Sequence, residues 1–265
     1  MQFFYRKEID FLRAIAVLFV IIYHYFPNIL PKGYLGVDLF FVISGFLISF
    51  QIYSQTIKNN FSFKDFYIRR AKRILPVAIF TLIIVYFISL FLLTDKDFYS
   101  FFESLIYSLF FSSNFFFWLD GGYFGPNDEL KPLLHFWSLG IEEQFYIFFP
   151  IFFIFLIKFL KNKNVLFFIV FIVILLSLGL NIFLTNIGGA NPAFFLLPTR
   201  VWDLGFGVLA MLILTKTKGI HSNIEAVFFI TLILLGFHYE LPYLPNNFLI
   251  IFSSFMLLRK KLPKN

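Results

Sequence analysis

Apolar residues fall in nine runs, at residues 12–26, 37–53, 74–93, 98–118, 141–160, 165–184, 201–214, 224–237 and 248–258. Short polar connections separate them. A helix needs about 20 apolar residues to span the hydrocarbon core of a bilayer, and a spanning backbone must satisfy its own hydrogen bonds. The pattern predicts an all-α fold, a polytopic transmembrane helix bundle, with the last runs short for full spans. No repeat of fixed period and no long linker is visible, so residues 1–265 read as a single membrane domain.

The connections set the orientation. Basic residues cluster at Arg6 and Lys7, along Lys58, Lys64, Arg69, Arg70, Lys72 and Arg73, and at Lys158, Lys161 and Lys163. Further clusters are Lys216 with Lys218, and Arg259, Lys260, Lys261 and Lys264. Such blocks stay on the cytoplasmic side. A full crossing by residues 98–118 would place the block at 158–163 outside. That segment is therefore predicted to be re-entrant or to lie along the outer face, leaving about eight crossings with both termini cytoplasmic. The stretch Asp120-Gly-Gly-Tyr-Phe-Gly-Pro-Asn-Asp-Glu in the long outer connection reads as the most loop-like of the chain. The first run ends in bulky Tyr-His-Tyr-Phe-Pro, so it reads as an uncleaved helix.

Composition agrees. The 265 residues are 60% hydrophobic and 14% charged, against roughly 45–50% and 25% in soluble domains. Mean hydropathy is +0.84. Most of the 45 Phe read as lipid contact and core filling. The net charge of +7 resides in membrane connections, which argues against a nucleic-acid partner. There is no Cys, so disulfides and thiolate chemistry are excluded.

A few ionisable residues interrupt the apolar runs. Arg13 and His24 are eleven residues apart, which places them on one helix face about 16 Å apart along the axis. Arg13 can snorkel to headgroups; His24 has the side chain suited to moving a proton near neutral pH. Asp38 stands near the outer end of the second helix, as a partner either for a cation or for His24. Gly45 permits close helix approach. Arg70 and Arg73, beside Arg69, share a face and serve either as an inside signal or as a phosphate cradle. Glu142, Glu143 and Gln144 enter a strongly apolar helix, where carboxylates are costly. Ser138, four residues before Glu142, shares its face, and a capping role for Ser138 with a Glu nearby would account for one carboxylate at most, leaving the other a functional candidate. Arg200 and Asp203 have the spacing of an intrahelical ion pair. No metal site is expected.

Five segments, EIDFLRAIAVLFVIIYHYF, GYLGVDLFFVISGFLIS, FYIRRAKRILP, LLHFWSLGIEEQFYIFFP and PTRVWDLGFG, carry a resemblance. In this order, over about residues 5–210, the chain resembles the membrane acyltransferase-3 family, whose members commonly O-acetylate cell-envelope sugars. The resemblance implies transfer of an acyl group, usually acetyl, from cytoplasmic acyl-CoA to a hydroxyl of an envelope polysaccharide or glycolipid. It implies no bound cofactor, a location in the inner cell membrane, and lipids, acyl-CoA and a carbohydrate acceptor as partners. On the family pattern, Arg13, His24, Asp38, Glu142 and Glu143 are catalytic candidates. Arg70 and Arg73 match the donor-handling loop, with Arg69 beside them as a further donor-binding candidate, and Trp137, Ser138 and Arg200 are substrate-binding candidates.

Members of the family usually have about ten membrane helices and a final part with a Ser-Tyr-rich, Trp-His segment. Here the sequence ends at Arg259-Lys-Lys-Leu-Pro-Lys-Asn, so the domain is expected to be incomplete at its C-terminal end. Two other classes stay open on the sequence alone: a non-catalytic truncated relative, and a proton-coupled transporter that would also use buried Glu and His.

Overall fold

The computed structural model describes residues 6–121, 131–160, 162–216, 223–238 and 244–259. The expected loop at 120–129 lies almost entirely outside the described residues, as do Lys161, Lys218, Lys260, Lys261 and Lys264. The described chain is helical, without a strand. In order the helices are α1 (Lys7–Tyr25), α2 (Gly36–Ile57), α3 (Phe63–Leu92), α4 (Asp95–Leu109), α5 (Ser113–Leu119) and α6 (Phe136–Phe159). They continue with α7 (Lys163–Asn186), α8 (Ala190–Phe195), α9 (Leu197–Lys216), α10 (Asn223–Gly236) and α11 (Phe248–Leu258).

Five of these stretches are long and apolar enough to cross a membrane: Gly33–Ile57, Phe63–Leu92, Phe136–Phe159, Lys163–Asn186 and Ala190–Thr215. The α10 and α11 helices are apolar but shorter. Residues 98–118 do not form one continuous helix. The run breaks at Phe110–Ser112, where Phe111 takes a φ of 52°, a left-handed conformation that interrupts a right-handed helix. The resulting helices of 15 and 7 residues are each shorter than the roughly 20-residue crossing length.

The centre of the bundle is the crossing of α2 and α9, which is glycine-mediated from both sides. A Cβ on Gly45 would lie 1.9 Å from the Leu204 carbonyl oxygen, and one on Gly207 would lie 2.0 Å from that of Val42. Neither position has room for any other residue. The close approach expected of Gly45 is thus real, and it is reciprocal. By contrast α3 is peripheral: Val77, Phe80, Ile83, Phe87 and Phe91 are all exposed along it. Apolar surface of that extent is the lipid-facing kind.

Candidate functional site

Polar side chains gather at two depths along the central helices. At the start of α2 and α9, the crossing brings three charges together. The Arg200 guanidinium donates through Nη2 to Asp38 Oδ1, while its Nε lies 3.0 Å from Asp203 Oδ2. All three are buried, at 4% exposure for Arg200, 2% for Asp38 and 0% for Asp203. Charges so deep persist only when paired. The aromatic faces of Phe41, Phe194 and Trp137 surround the guanidinium at 5.4, 5.5 and 5.9 Å, in cation–π range. Asn247 reaches Asp203 Oδ1 from the α11 side at 3.5 Å.

This settles Asp38 as the partner of a cation. It does not orient His24, because Arg200 occupies its carboxylate. The intrahelical Arg200–Asp203 pair stands as expected, with a third member that the spacing alone did not reveal. Trp137 is buried beneath the cluster, packed on Phe194 and Phe195 with ring centroids 4.5 and 5.6 Å away. It supports Arg200 from below and does not line the adjoining cavity.

The second depth lies along α2 and α6. Glu142 accepts from Ser44 Oγ through Oε1 and from Tyr146 OH through Oε2, both at 2.9 Å. Arg13 and Arg70 stand within electrostatic range of it. Arg70 donates to Gln51 Oε1 at 3.1 Å and lies over the rings of Tyr146 and Phe66, at 5.2 and 5.8 Å. Next to it, Glu143 keeps Oε1 buried without a hydrogen-bond partner. Arg73 is close enough to Arg70 to feel its charge, as their spacing implied. Both Arg69 and Arg73 are exposed.

The placement of α1 follows from its contacts. Arg13 lies 3.8 Å from Asp10, and its charge reaches Glu142 of α6 as the weakest of the influences on that carboxylate. The His24 ring meets His135 at the head of α6 edge-on, with centroids 4.6 Å apart. The C-terminal end of α1 at His24 thus lies beside the head of α6. His24 is exposed, and its Nδ1 lies 2.7 Å from the Val20 carbonyl oxygen. A carbonyl only accepts, so Nδ1 carries the proton and Nε2 presents its lone pair.

Ser138 is not a helix cap. The helix starts at Phe136 with His135 as its cap residue, and Ser138 Oγ turns back to the His135 carbonyl at 3.2 Å. Nor does Ser138 bond Glu142, whose two oxygens are taken by Ser44 and Tyr146. Sequence reasoning passed over Tyr146, Gln51, His135 and Asn247. Tyr146 follows Glu142 by four residues and was findable from helical spacing. The other three meet their partners only through tertiary packing.

A cavity of 390 Å³ adjoins the upper cluster, with Asp38 and Arg200 in its wall. Neither His24 nor Glu142 lines it.

The sequence profile of an acyltransferase domain matches residues 6–258. A provisionally named O-acetyltransferase of Staphylococcus aureus strain MSSA476 is 36% identical over 245 residues, covering 88% of this chain and 40% of the relative. The O-acetyltransferase OatA of S. aureus strain NCTC 8325 is 36% identical over 207 residues, covering 77% of this chain and 34% of the relative. The chain thus spans about 40% or less of the length of these curated relatives. No solved structure matches it. All five segments quoted above, with both polar clusters, fall inside the matched region, and the chain belongs to the acyltransferase-3 family.

Proposed function

We propose that this chain is the membrane portion of an O-acyltransferase that moves an acyl group, acetyl by analogy with its relatives, from cytoplasmic acyl-CoA to a hydroxyl of an envelope polysaccharide or glycolipid. In this reading the protein sits in the inner membrane with about eight crossings and both termini cytoplasmic. Arg70, assisted by Arg69 and Arg73, holds the CoA polyphosphate, for which guanidinium groups are suited. His24 Nε2 takes the proton of the acceptor hydroxyl as the oxygen attacks the thioester carbonyl. Arg13, about 16 Å along α1 from His24, belongs to the donor end, and the attack leaves a tetrahedral oxyanion beside His24. Its collapse forms the ester and releases the CoA thiolate, which recovers a proton.

One observation carries the reading. His24 of α1 lies against His135 at the head of α6, while further along the bundle Arg70 and Arg13 are the cations whose charge reaches Glu142. That arrangement provides a cationic end and a basic end, as transfer across a membrane needs. The test measures transfer of labelled acetyl to envelope glycans in cells carrying wild type or His24→Ala at matched membrane levels. Loss of a general base is expected to lower the rate about 100-fold or more. Equal labelling would remove His24 from the chemistry.

A further inference from the structure

The cavity beside Asp38 and Arg200 carries polar groups that the acyl-transfer chemistry leaves unused. Its 390 Å³ lies within the roughly 300–1,000 Å³ of small-molecule sites. Asp38, Arg200 and Asn247 form a buried floor. At the rim stand Asn186, Asn191 and Asn246, all exposed. None of these three side chains hydrogen-bonds any described residue. They come from the end of α7, from α8, and from the turn before α11, so tertiary folding converges three carboxamides on one opening.

The chemistry of floor and rim selects a ligand class. Each carboxamide offers two donors and one acceptor, which complements a hydroxyl that both donates and accepts. The Arg200 guanidinium at the floor is already paired, with Asp38 beside it in the floor and with Asp203 behind it. The floor therefore offers a phosphate or other anion no unpaired cation. Phe194, half-buried in the wall, adds an apolar face on which a sugar ring can pack.

The cavity is also joined to the proposed base. Its wall residue Tyr34 meets Tyr23 with ring centroids 5.4 Å apart, and Tyr23 meets His24 at 5.0 Å. Aromatic rings in contact thus lead from the opening to the imidazole.

We propose that this cavity is a subsite for a neutral sugar unit of the acceptor, an inference that rests on the acyl-transfer reading above. The rim asparagines grip hydroxyls, and the floor, its guanidinium already paired, holds no free cation for an anionic unit.

The test titrates the full chain in lipid nanodiscs with a mixture of neutral hexose and N-acetylhexosamine trisaccharides, read by saturation-transfer NMR, and separately with acetyl-CoA. Wild type is expected to bind both. The Asn191→Ala/Asn246→Ala double variant should bind the trisaccharides about tenfold more weakly, the loss expected of one or two neutral hydrogen bonds. Its acetyl-CoA binding should be unchanged, which also verifies that it is folded. Trisaccharide binding unaffected by the double substitution overturns the subsite. So does a wild-type chain that binds acetyl-CoA but no trisaccharide; both results leave acyl transfer standing. Rim-dependent trisaccharide binding without acetyl-CoA binding would instead overturn the acyl-transfer reading, and binding of neither removes both.

Discussion

Arg200 is one cation answering two buried carboxylates, so its removal leaves both uncompensated in a low-dielectric core. Breaking a buried ion pair from one side costs about 3–5 kcal/mol. Arg200→Leu is therefore expected to lower the thermal midpoint of the detergent-solubilised chain markedly, measured by fluorescence-detected size-exclusion after heating. Arg200→Lys should recover only part of the loss, because a single ammonium cannot fork between two carboxylates. A midpoint for Arg200→Leu equal to wild type would contradict the pairing. At this scale the sequence was partly legible. Spacing within one helix disclosed Arg200 with Asp203, and the oddity of charges in apolar runs disclosed Asp38 and Glu142. What spacing could not disclose was that Asp38 serves Arg200, 162 residues away, or that Ser44 serves Glu142, 98 residues away. Those pairings belong to the way helices pack.

Packing of the helices turns on the α2–α9 crossing. Because a Cβ at Gly207 would meet backbone atoms of α2, Gly207→Val must push the helices apart and pull Arg200 from Asp38. We expect severe loss of folded protein, well beyond the roughly 1–3 kcal/mol usual for overpacking, because the obstacle is backbone. Gly179→Ala is the contrasting case. It lies within α7 with nothing within 4 Å of the added methyl, and it should stabilise by about 0.5–1 kcal/mol. Folded yield and thermal midpoint of the two variants check both statements, and equal behaviour would refute them. The helical elements themselves were mostly readable as apolar runs. The division of residues 98–118 was half readable: the balance of basic connections ruled out a simple crossing, while the break at Phe111 left no mark in hydrophobicity. Its cause is local and tertiary. Asn114, just past the break, donates to the Phe195 carbonyl at 3.0 Å and accepts from Gln144 at 2.8 Å. The α5 helix is thereby tied to α6 and α8 and cannot continue the line of α4.

For the molecule as a whole, the absence of cysteine makes orientation directly measurable. Asn28→Cys lies in the exposed turn after α1, and Asn60→Cys in the exposed turn after α2. A membrane-impermeant maleimide should label the first in intact cells and the second only after permeabilisation; the reverse order would overturn the orientation proposed above. One dimension of the bundle also bears on how it sits in lipid. At 1.5 Å per residue the 30 residues of α3 extend about 45 Å, against a hydrocarbon core of about 30 Å. The surplus is its basic first part, which ends just before Pro76. Proline there cannot bond the Lys72 carbonyl and forms a natural joint. Below the joint, Arg70 and Tyr67 fasten the helix to Gln51 and to the Ile147 carbonyl; above it, no side-chain hydrogen bond to another described helix is seen. There the helix packs through Ala78, Leu82, Tyr86 and Ser89 while most of its surface faces lipid. Changes in bilayer thickness can therefore be absorbed by tilting the upper segment, and Arg70, on the cytoplasmic side in the orientation proposed above, keeps its depth when the surrounding membrane thins or thickens.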